Sequence, residues 1–399
     1  MKKVVIVYDQ PLTGVQGINN VNNSFVLGQD IFKHYDLELS YIVSPNDLFE
    51  VSKHKSLVDV IGSKSGSQGG KASAVKSFLS KICSSDFLLF AYLRMYFGYL
   101  RQAKKAVENI KKLPYKPDYI IFQDGNTAYN YFKTEKNPSK SIIILHCSDD
   151  YLEQAIPVYC GYYKYKFLEN HRRKQFDFVF EKVKKVVYLS EHAVNASYLP
   201  SQLKVCIPNG VLDNPSIMAQ GPGEIIHMAS VGTVSRHKGQ LLVIQAITHL
   251  PEGVLERIRL HIIGGGDCVD ECKDYIKEHN LEKYVTMYGS RNDVPKLLET
   301  MDAFILPSYS EGMPMSILEA MRQGLFIFAT DTGAIPEMIR PEFGRIITRE
   351  PQEIAETLTE VIEGGELSHQ AKVASRQFYL EHYTIDSMVG AYAKLLSSL

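Results

Sequence analysis

The sequence predicts an α/β protein of two doubly wound domains. Two observations carry this expectation. Short apolar runs recur along the chain, most of them ending in a polar or glycine-bearing loop that leads into a helical stretch, as buried parallel strands joined by crossover helices do. The chain is also 399 residues long, beyond the roughly 250–300 at which a single hydrophobic core stops growing, so two domains are expected.

Taken in order, residues 4–8 form the first strand, and the loop PLTGVQG (11–17) leads into a helix over about 19–34. Its glycines, Gly14 and Gly17, allow backbone to approach a phosphate or substrate closely, although from these residues alone an ordinary strand-to-helix turn is the simpler reading. Residues 37–43 are the second strand, and the Gly/Ser/Lys stretch 63–73 is a flexible loop by composition. Residues 75–112 mix Phe87, Phe90, Tyr92 and Tyr96 with Arg94, Arg101, Lys104 and Lys105. Such a segment either lies on an anionic membrane surface or covers the sheet with a solvated basic face, and both readings stay open.

Residues 119–123 and 142–145 are further strands, ending in Gln123-Asp124-Gly125-Asn126 and His146-Cys147-Ser148-Asp149. Both endings point to the crevice at the carboxyl edge of a parallel sheet. A lone histidine is more often structural, but the strand-end position makes His146 a candidate site residue. Strands at 185–190 and 204–210 close the first half, and the Pro- and Gly-bearing segment from Asp213 to Glu224 reads as a linker. The expected domains are therefore 1–212 and 213–381, with residues 382–399 as a final helix.

The second half opens with a strand at 225–232, then TVSRHKG (233–239) with Arg236 and Lys238, then a helix over 240–250. The strand 258–263 ends in Gly264-Gly265-Gly266, but Val269 stands where a dinucleotide fingerprint needs its third glycine, which argues against a dehydrogenase. The strand 285–288 runs into Gly289-Ser290-Arg291-Asn292, and 368–399 reads as helical.

The densest chemistry lies at 301–345. A buried strand, 303–306, ends at Pro307-Ser308; Pro314 suits a first helical turn, and Met315 to Gln323 are good helix formers stopped by Gly324. Glu311 then sits on the loop and Glu319 in the second helical turn, with the unpaired amides near Met315 and Ser316 between them. An anion held at the helix N-terminus with a carboxylate on either side for sugar hydroxyls describes a nucleotide-sugar. Two glutamates at this spacing occur by chance roughly once in a chain of this size, so the weight rests on the whole string. That string is Pro307-Ser308, Glu311-Gly312, Pro314, Glu319-Ala320-Met321, Gly324, Asp331-Thr332-Gly333 and Pro336-Glu337.

In that order and spacing the segment resembles the E-x7-E region of the retaining glycosyltransferases of family 4, which have the GT-B fold of two Rossmann-like domains. The resemblance implies a nucleotide-sugar donor held by the C-terminal domain, through Glu311, Gly312, Met313, Pro314, Met315, Ser316 and Glu319, and an acceptor on the N-terminal side. It makes Glu311 the ligand of donor sugar hydroxyls and Glu319 that of the ribose. Lys238 matches the diphosphate-gripping lysine of such enzymes; Thr233 stands where their arginine is often found, so Arg236 is the candidate to supply that charge. The loop with Gly14 and Gly17 is expected to reach the donor, that with Arg291 and Asn292 to bind the nucleobase, His146 to lie beside the acceptor, and the last helix to return to the N-terminal domain. The implied reaction is hexose transfer with retained configuration, UDP-sugar favoured and GDP-sugar next, to a glycan or lipid-linked acceptor in polysaccharide biosynthesis. A UDP-sugar 2-epimerase of the same fold, or a non-catalytic sugar-nucleotide-binding partner subunit, is the alternative.

Composition excludes other classes. The formal net charge of -1 gives no whole-molecule attraction to nucleic acid. The six scattered cysteines contain no C-x-x-C pair and fit reduced thiols in the cytoplasm. Cys268 and Cys272 with His279 lack a fourth zinc ligand. The apolar run after Lys2-Lys3 is too short for a signal peptide, and no stretch approaches the roughly 20 apolar residues of a membrane span. No D-x-D triplet occurs, so no cofactor and no metal is expected. Were a metal required, Asp124, Asp149 and Asp150 are where its ligands would be sought.

Overall fold

The computed structural model describes residues 1–10, 12, 17–57, 100–146, 166–215 and 222–399. The chain divides into two compact units, the first comprising Met1–Pro208 with Ile385–Leu399, the second Asn209–Thr384.

In the first unit the strands are β1 (Lys2–Val7), β2 (Leu37–Val43), β3 (Leu48–Glu50), β4 (Tyr119–Phe122), β5 (Lys140–Ile144), β6 (Lys185–Tyr188) and β7 (Lys204–Cys206). They lie in the order β3-β2-β1-β4-β5-β6-β7, parallel except where β3 pairs antiparallel with β2. The near-continuous Val and Ile runs suit strands covered on both faces, and Val4 to Val7 are fully buried. Val5, Ile120, Phe122 and Val186 share a core with Ala106, Ala128, Phe176 and Val179 of the flanking helices.

The second unit repeats the plan with β8 (Ile226–Val231), β9 (Ile258–Ile263), β10 (Val285–Gly289), β11 (Ala303–Leu306), β12 (Phe326–Thr330) and β13 (Gly344–Ile347). Their order is β10-β9-β8-β11-β12-β13, all parallel. In each unit the strand order reverses beside the first strand, between β1 and β4 and between β8 and β11. Open sheets of this kind bind ligands at that point, outside the carboxyl ends of the strands.

Three expectations change in detail. The single helix expected over 19–34 is two, Gly17–Leu27 and Gln29–Lys33. The break falls at Gly28, where a Cβ would come within 2.8 Å of Ile385 and Val389, so the residue is small because the last helix passes over it. The C-terminal helical stretch is also two helices, His369–His382 and Ile385–Ser397. They part at Tyr383-Thr384, where Val211 N–H donates to the Tyr383 carbonyl (3.0 Å) and Val211 bridges Thr384. Those bonds hold Asn209 to Leu212 and Tyr383-Thr384 to the second unit, so the chain divides a few residues from the expected 212 and 382. The helix Ile385–Ser397 belongs to the first unit, where Tyr392 meets Phe25 edge-on at 4.9 Å.

The zinc possibility has no geometric support. Cys268 and Cys272 are buried in the core of the second unit, burial pushes the Cys272 thiol up to about 11, and His279 Nδ1 lies 3.0 Å from the Tyr275 carbonyl on the surface. Among the described residues no group of three His, Cys, Asp or Glu side chains is placed to hold a metal ion.

Candidate active site

At the reversal point of the second unit, β8 gives way to Gly232 and the loop 233–239. One buried side chain holds this loop: Gln240 accepts from Ser235 N–H (3.2 Å) and donates to the Thr233 carbonyl (3.1 Å). Gly239 ends it with φ +73. A Cβ there would sit 2.5 Å from the Pro307 carbonyl oxygen, so only glycine lets the loop close against the end of β11. Lys238 N–H turns back onto Ser235, and its side chain reaches across to the loop that follows β11. Tyr309 N–H donates to the His237 carbonyl (2.9 Å), locking the two loops together.

Lys238 Nζ lies 2.6 Å from Glu311 Oε1, with the Glu311 side chain 8% and Lys238 27% exposed. The sequence put these two residues 73 positions apart; the fold makes them an ion pair at the mouth of the sheet. Pro314 precedes the helix Met315–Arg322 in extended conformation and no side chain caps it, so the first amides, of Met315 and Ser316, have no partner within the helix. Buried Met313 is held by Asn209, whose backbone N–H meets its sulfur at 3.1 Å.

Glu319 stands one turn further on. Part of its surface still touches solvent, yet its carboxyl group is enclosed, and burial pushes it up to about 7, with Arg322 pulling the other way. The carboxyl group, not the stem, carries the charge that burial penalises.

Residues around these ligand candidates shape the site as well. Gly333, at φ +60, packs so closely that a Cβ would lie 2.1 Å from the Glu311 carbonyl oxygen and 2.6 Å from that of Gly312. Ala334 N–H donates to the Gly312 carbonyl (2.8 Å). The Asp331-Thr332-Gly333 turn is thus the floor on which the Glu311 loop rests. Thr330 and Arg349 both donate to the Ser308 carbonyl (2.6 and 3.1 Å), and the Arg349 guanidinium lies over the half-exposed Tyr309 ring. Only Gly333 carried a signal in the sequence, as a glycine in a short polar turn.

Other expected residues stand apart from the Lys238–Glu311 pair. Arg236 is 84% exposed and pairs with Glu271 at 3.3 Å. Arg291 pairs with Asp293 (2.6 Å) at the end of edge strand β10, beside exposed Asn292.

In the first unit, His146 follows β5 and its Nε2 is hydrogen-bonded to Gln123 Oε1. Burial pushes this imidazole down to about 4, which keeps it neutral at physiological pH. Asp124 caps the helix Gly125–Thr134, accepting from Thr127 N–H (2.7 Å), and burial raises its carboxyl well above the usual range. Gly17 opens the helix after β1 and is exposed, with open space beside it. Gly14, Asp149 and Asp150 lie outside the described residues, as does most of 75–112.

Residues 222–378 match the model of the family described as Glycosyl transferases group 1. The match lies within the second unit. The whole site built above, from Lys238 through Glu311 to Glu319, falls within it. The chain is 37% identical over 83 residues to the UDP-Gal:alpha-D-GlcNAc-diphosphoundecaprenol alpha-1,3-galactosyltransferase of Escherichia coli, covering 21% of each chain. It is 25% identical over 262 residues to the lipopolysaccharide 1,6-galactosyltransferase of Escherichia coli, covering 63% of this chain and 67% of the other. Three of the curated relatives are matched over only 21–32% of their length. Among solved structures, Anabaena HepE in complex with UDP-glucose superposes over all of both chains with a TM-score of 0.65 at 17% identity. The apo lipopolysaccharide outer core galactosyltransferase WaaB does so at 0.64 and 18%. At these identities the likeness fixes the fold: two Rossmann-like units of GT-B type.

Proposed function

We propose that this chain is a retaining, metal-independent glycosyltransferase that moves a hexose from a nucleotide-sugar, a UDP-sugar in the first instance, to a glycan or lipid-linked acceptor in bacterial polysaccharide biosynthesis. The observation that carries the reading is the Lys238–Glu311 ion pair beside the uncapped helix Met315–Arg322. It sets a cation, two or more amides and a carboxylate around one point where the strand order reverses. The matched relatives named as galactosyltransferases of a diphosphoundecaprenol-linked sugar and of lipopolysaccharide, and the HepE complex with UDP-glucose, support donor and pathway.

In this reading the ammonium of Lys238 leaves Glu311 for the donor diphosphate, joined by the Met315 and Ser316 amides and by Arg236 once it releases Glu271. Glu311 then accepts hydrogen bonds from hydroxyls of the transferred sugar, and Glu319 from the ribose. The Gly312–Pro314 turn lines the sugar, and the loop with Arg291 and Asn292 faces the base. The bond from the anomeric carbon to the phosphate oxygen breaks while the acceptor oxygen bonds the same face. The acceptor proton passes to the leaving phosphate. His146 lies on the acceptor side. The enzyme works at the cytoplasmic face of the membrane.

The test is nucleoside diphosphate release from UDP-sugars, with and without lipid-linked acceptors, in the presence of EDTA. Acceptor-dependent release that survives EDTA is expected, since Lys238 and the helix amides carry the phosphate charge. Free UDP formed without acceptor, or activity restored only by magnesium or manganese, overturns transfer or metal independence respectively.

A further inference from the structure

Three consecutive strands of the first sheet, β1, β4 and β5, each deliver one polar side chain to the carboxyl edge. Asn22 lies on the helix after β1, Gln123 immediately follows β4, and His146 follows β5. Gln123 Nε2 donates to Asn22 Oδ1 at 3.0 Å, while Gln123 Oε1 is bonded to His146 Nε2. Gln123 N–H is itself pinned to the Val7 carbonyl (2.9 Å). Asn22 and Gln123 are almost fully buried.

A carboxamide has one donating and one accepting end. Because the Asn22 oxygen takes the donating end of Gln123, the accepting end is what faces the imidazole. A nitrogen held against an acceptor must carry a hydrogen, and a neutral imidazole carries only one. We propose that Asn22 and Gln123 are positioning residues that fix His146 as the Nε2-protonated tautomer, leaving the Nδ1 lone pair to accept a hydrogen bond from an acceptor hydroxyl. The relay has a cost that argues for its use: Asn22 Nδ2 has no hydrogen-bond partner among the described residues, and a buried donor left unpaired is destabilising. An apolar side chain at 22 would avoid that cost. What it would lose is the oxygen that orients Gln123.

The use of Nδ1 rests on the transferase reading, whereas the tautomer does not. Nitrogen-15 NMR of the full chain at pH 7, with the His146 signal assigned by its loss in His146→Gln, reads the tautomer without substrate. Hydrogen on Nε2 is expected; hydrogen on Nδ1 overturns the proposal. In acceptor turnover, Gln123→Met is expected to lower kcat by about 10- to 100-fold, as loss of the partner that orients a metal-bound histidine does. Donor KM stays unchanged. Gln123→Glu, which can only accept, keeps hydrogen on Nε2 and retains more kcat than Gln123→Met. Asn22→Leu lowers kcat in the same way, and adding it to Gln123→Met costs nothing further; losses that multiply would show two independent roles and overturn the relay. A chain that shows hydrogen on Nε2 and transfers no sugar overturns the transferase reading and leaves the tautomer assignment intact.

Discussion

Glu311 and Glu319 lie on one loop-helix segment, yet their surroundings assign them different work. Glu311 has a cation at 2.6 Å, whereas Glu319 has a buried carboxyl group raised to about 7. A charge-assisted hydrogen bond contributes about 1.5–3 kcal/mol, so Glu311→Ala is expected to lower turnover roughly 10- to 100-fold while bare UDP still binds. Glu319→Ala is expected to weaken bare UDP as well. Calorimetry alongside single-turnover rates separates the two, and the reverse pattern would exchange their roles. The raised pKa adds a pH dependence whose direction is fixed. Below about 7 the Glu319 carboxyl is protonated and accepts the ribose hydroxyl less well, so UDP affinity should rise as pH rises through 7, and Glu319→Gln should remove that part of the rise. Stability runs the other way. A folded pKa above the unfolded 4.5 contributes stability that is full below 4.5 and lost as pH rises to about 7. His146, depressed from 6.5 to about 4, contributes stability that is lost as pH falls through that window. Amide exchange near each residue between pH 4.5 and 7 should therefore move in opposite directions in the two units.

At the level of elements, the Glu311 loop is held as much by the turn beneath it as by its own residues. Gly333→Ala combines a left-handed backbone with a Cβ 2.1 Å from the Glu311 carbonyl oxygen. It should destabilise the second unit by about 1–3 kcal/mol and weaken UDP binding, although residue 333 offers no side chain to a ligand. A variant with normal affinity would show that the loop has room to move. Contacts of this kind mark the limit of what the sequence makes legible. Strands such as Ala303–Leu306 and the helix Met315–Arg322 could be read because their apolar runs, Pro314 and Gly324 are local signals. The short strands β3 (Leu48–Glu50) and β13 (Gly344–Ile347) could not, since each offers only two consecutive apolar residues. Nor could the break at Gly28, which is imposed by Ile385 and Val389 some 360 residues later in the chain. At the site, the segment around Glu311 and Glu319 was legible, as was Lys238 at a loop-helix junction. That Arg236 pairs with Glu271, and that Gln240 and Gly333 brace the two loops, depends on three-dimensional neighbours that no spacing rule encodes.

For the molecule as a whole, the lipid-linked acceptor proposed above would bring the chain to a membrane. No helix among the described residues is long and apolar enough to cross a bilayer, and the net charge of -1 supplies no general attraction. Of the basic segment 75–112, the described part is largely the helix Arg101–Ile110. Its apolar side chains Ala106, Val107 and Ile110 are buried in the core of the first unit, Ala103 is buried as well, and Asn109 ties the helix to the Ser44 carbonyl (2.8 Å). This apolar face is therefore not available to insert among lipids. What remains on the outside is charge: Arg101, Lys104, Lys111 and Lys112 are exposed. Each basic residue near an anionic surface contributes about 1 kcal/mol, and the attraction reaches about 10 Å at 0.1 M salt but only about 3 Å at 1 M. The full chain should accordingly sediment with anionic vesicles at low salt, remain in the supernatant with neutral ones, and be released from the anionic ones at high salt. Replacing Arg101 and Lys104 together by glutamate should abolish the low-salt binding. Retention on neutral vesicles or at high salt would instead mean that apolar surface outside this helix enters the bilayer, and no binding under any condition would leave the basic face as solvated surface.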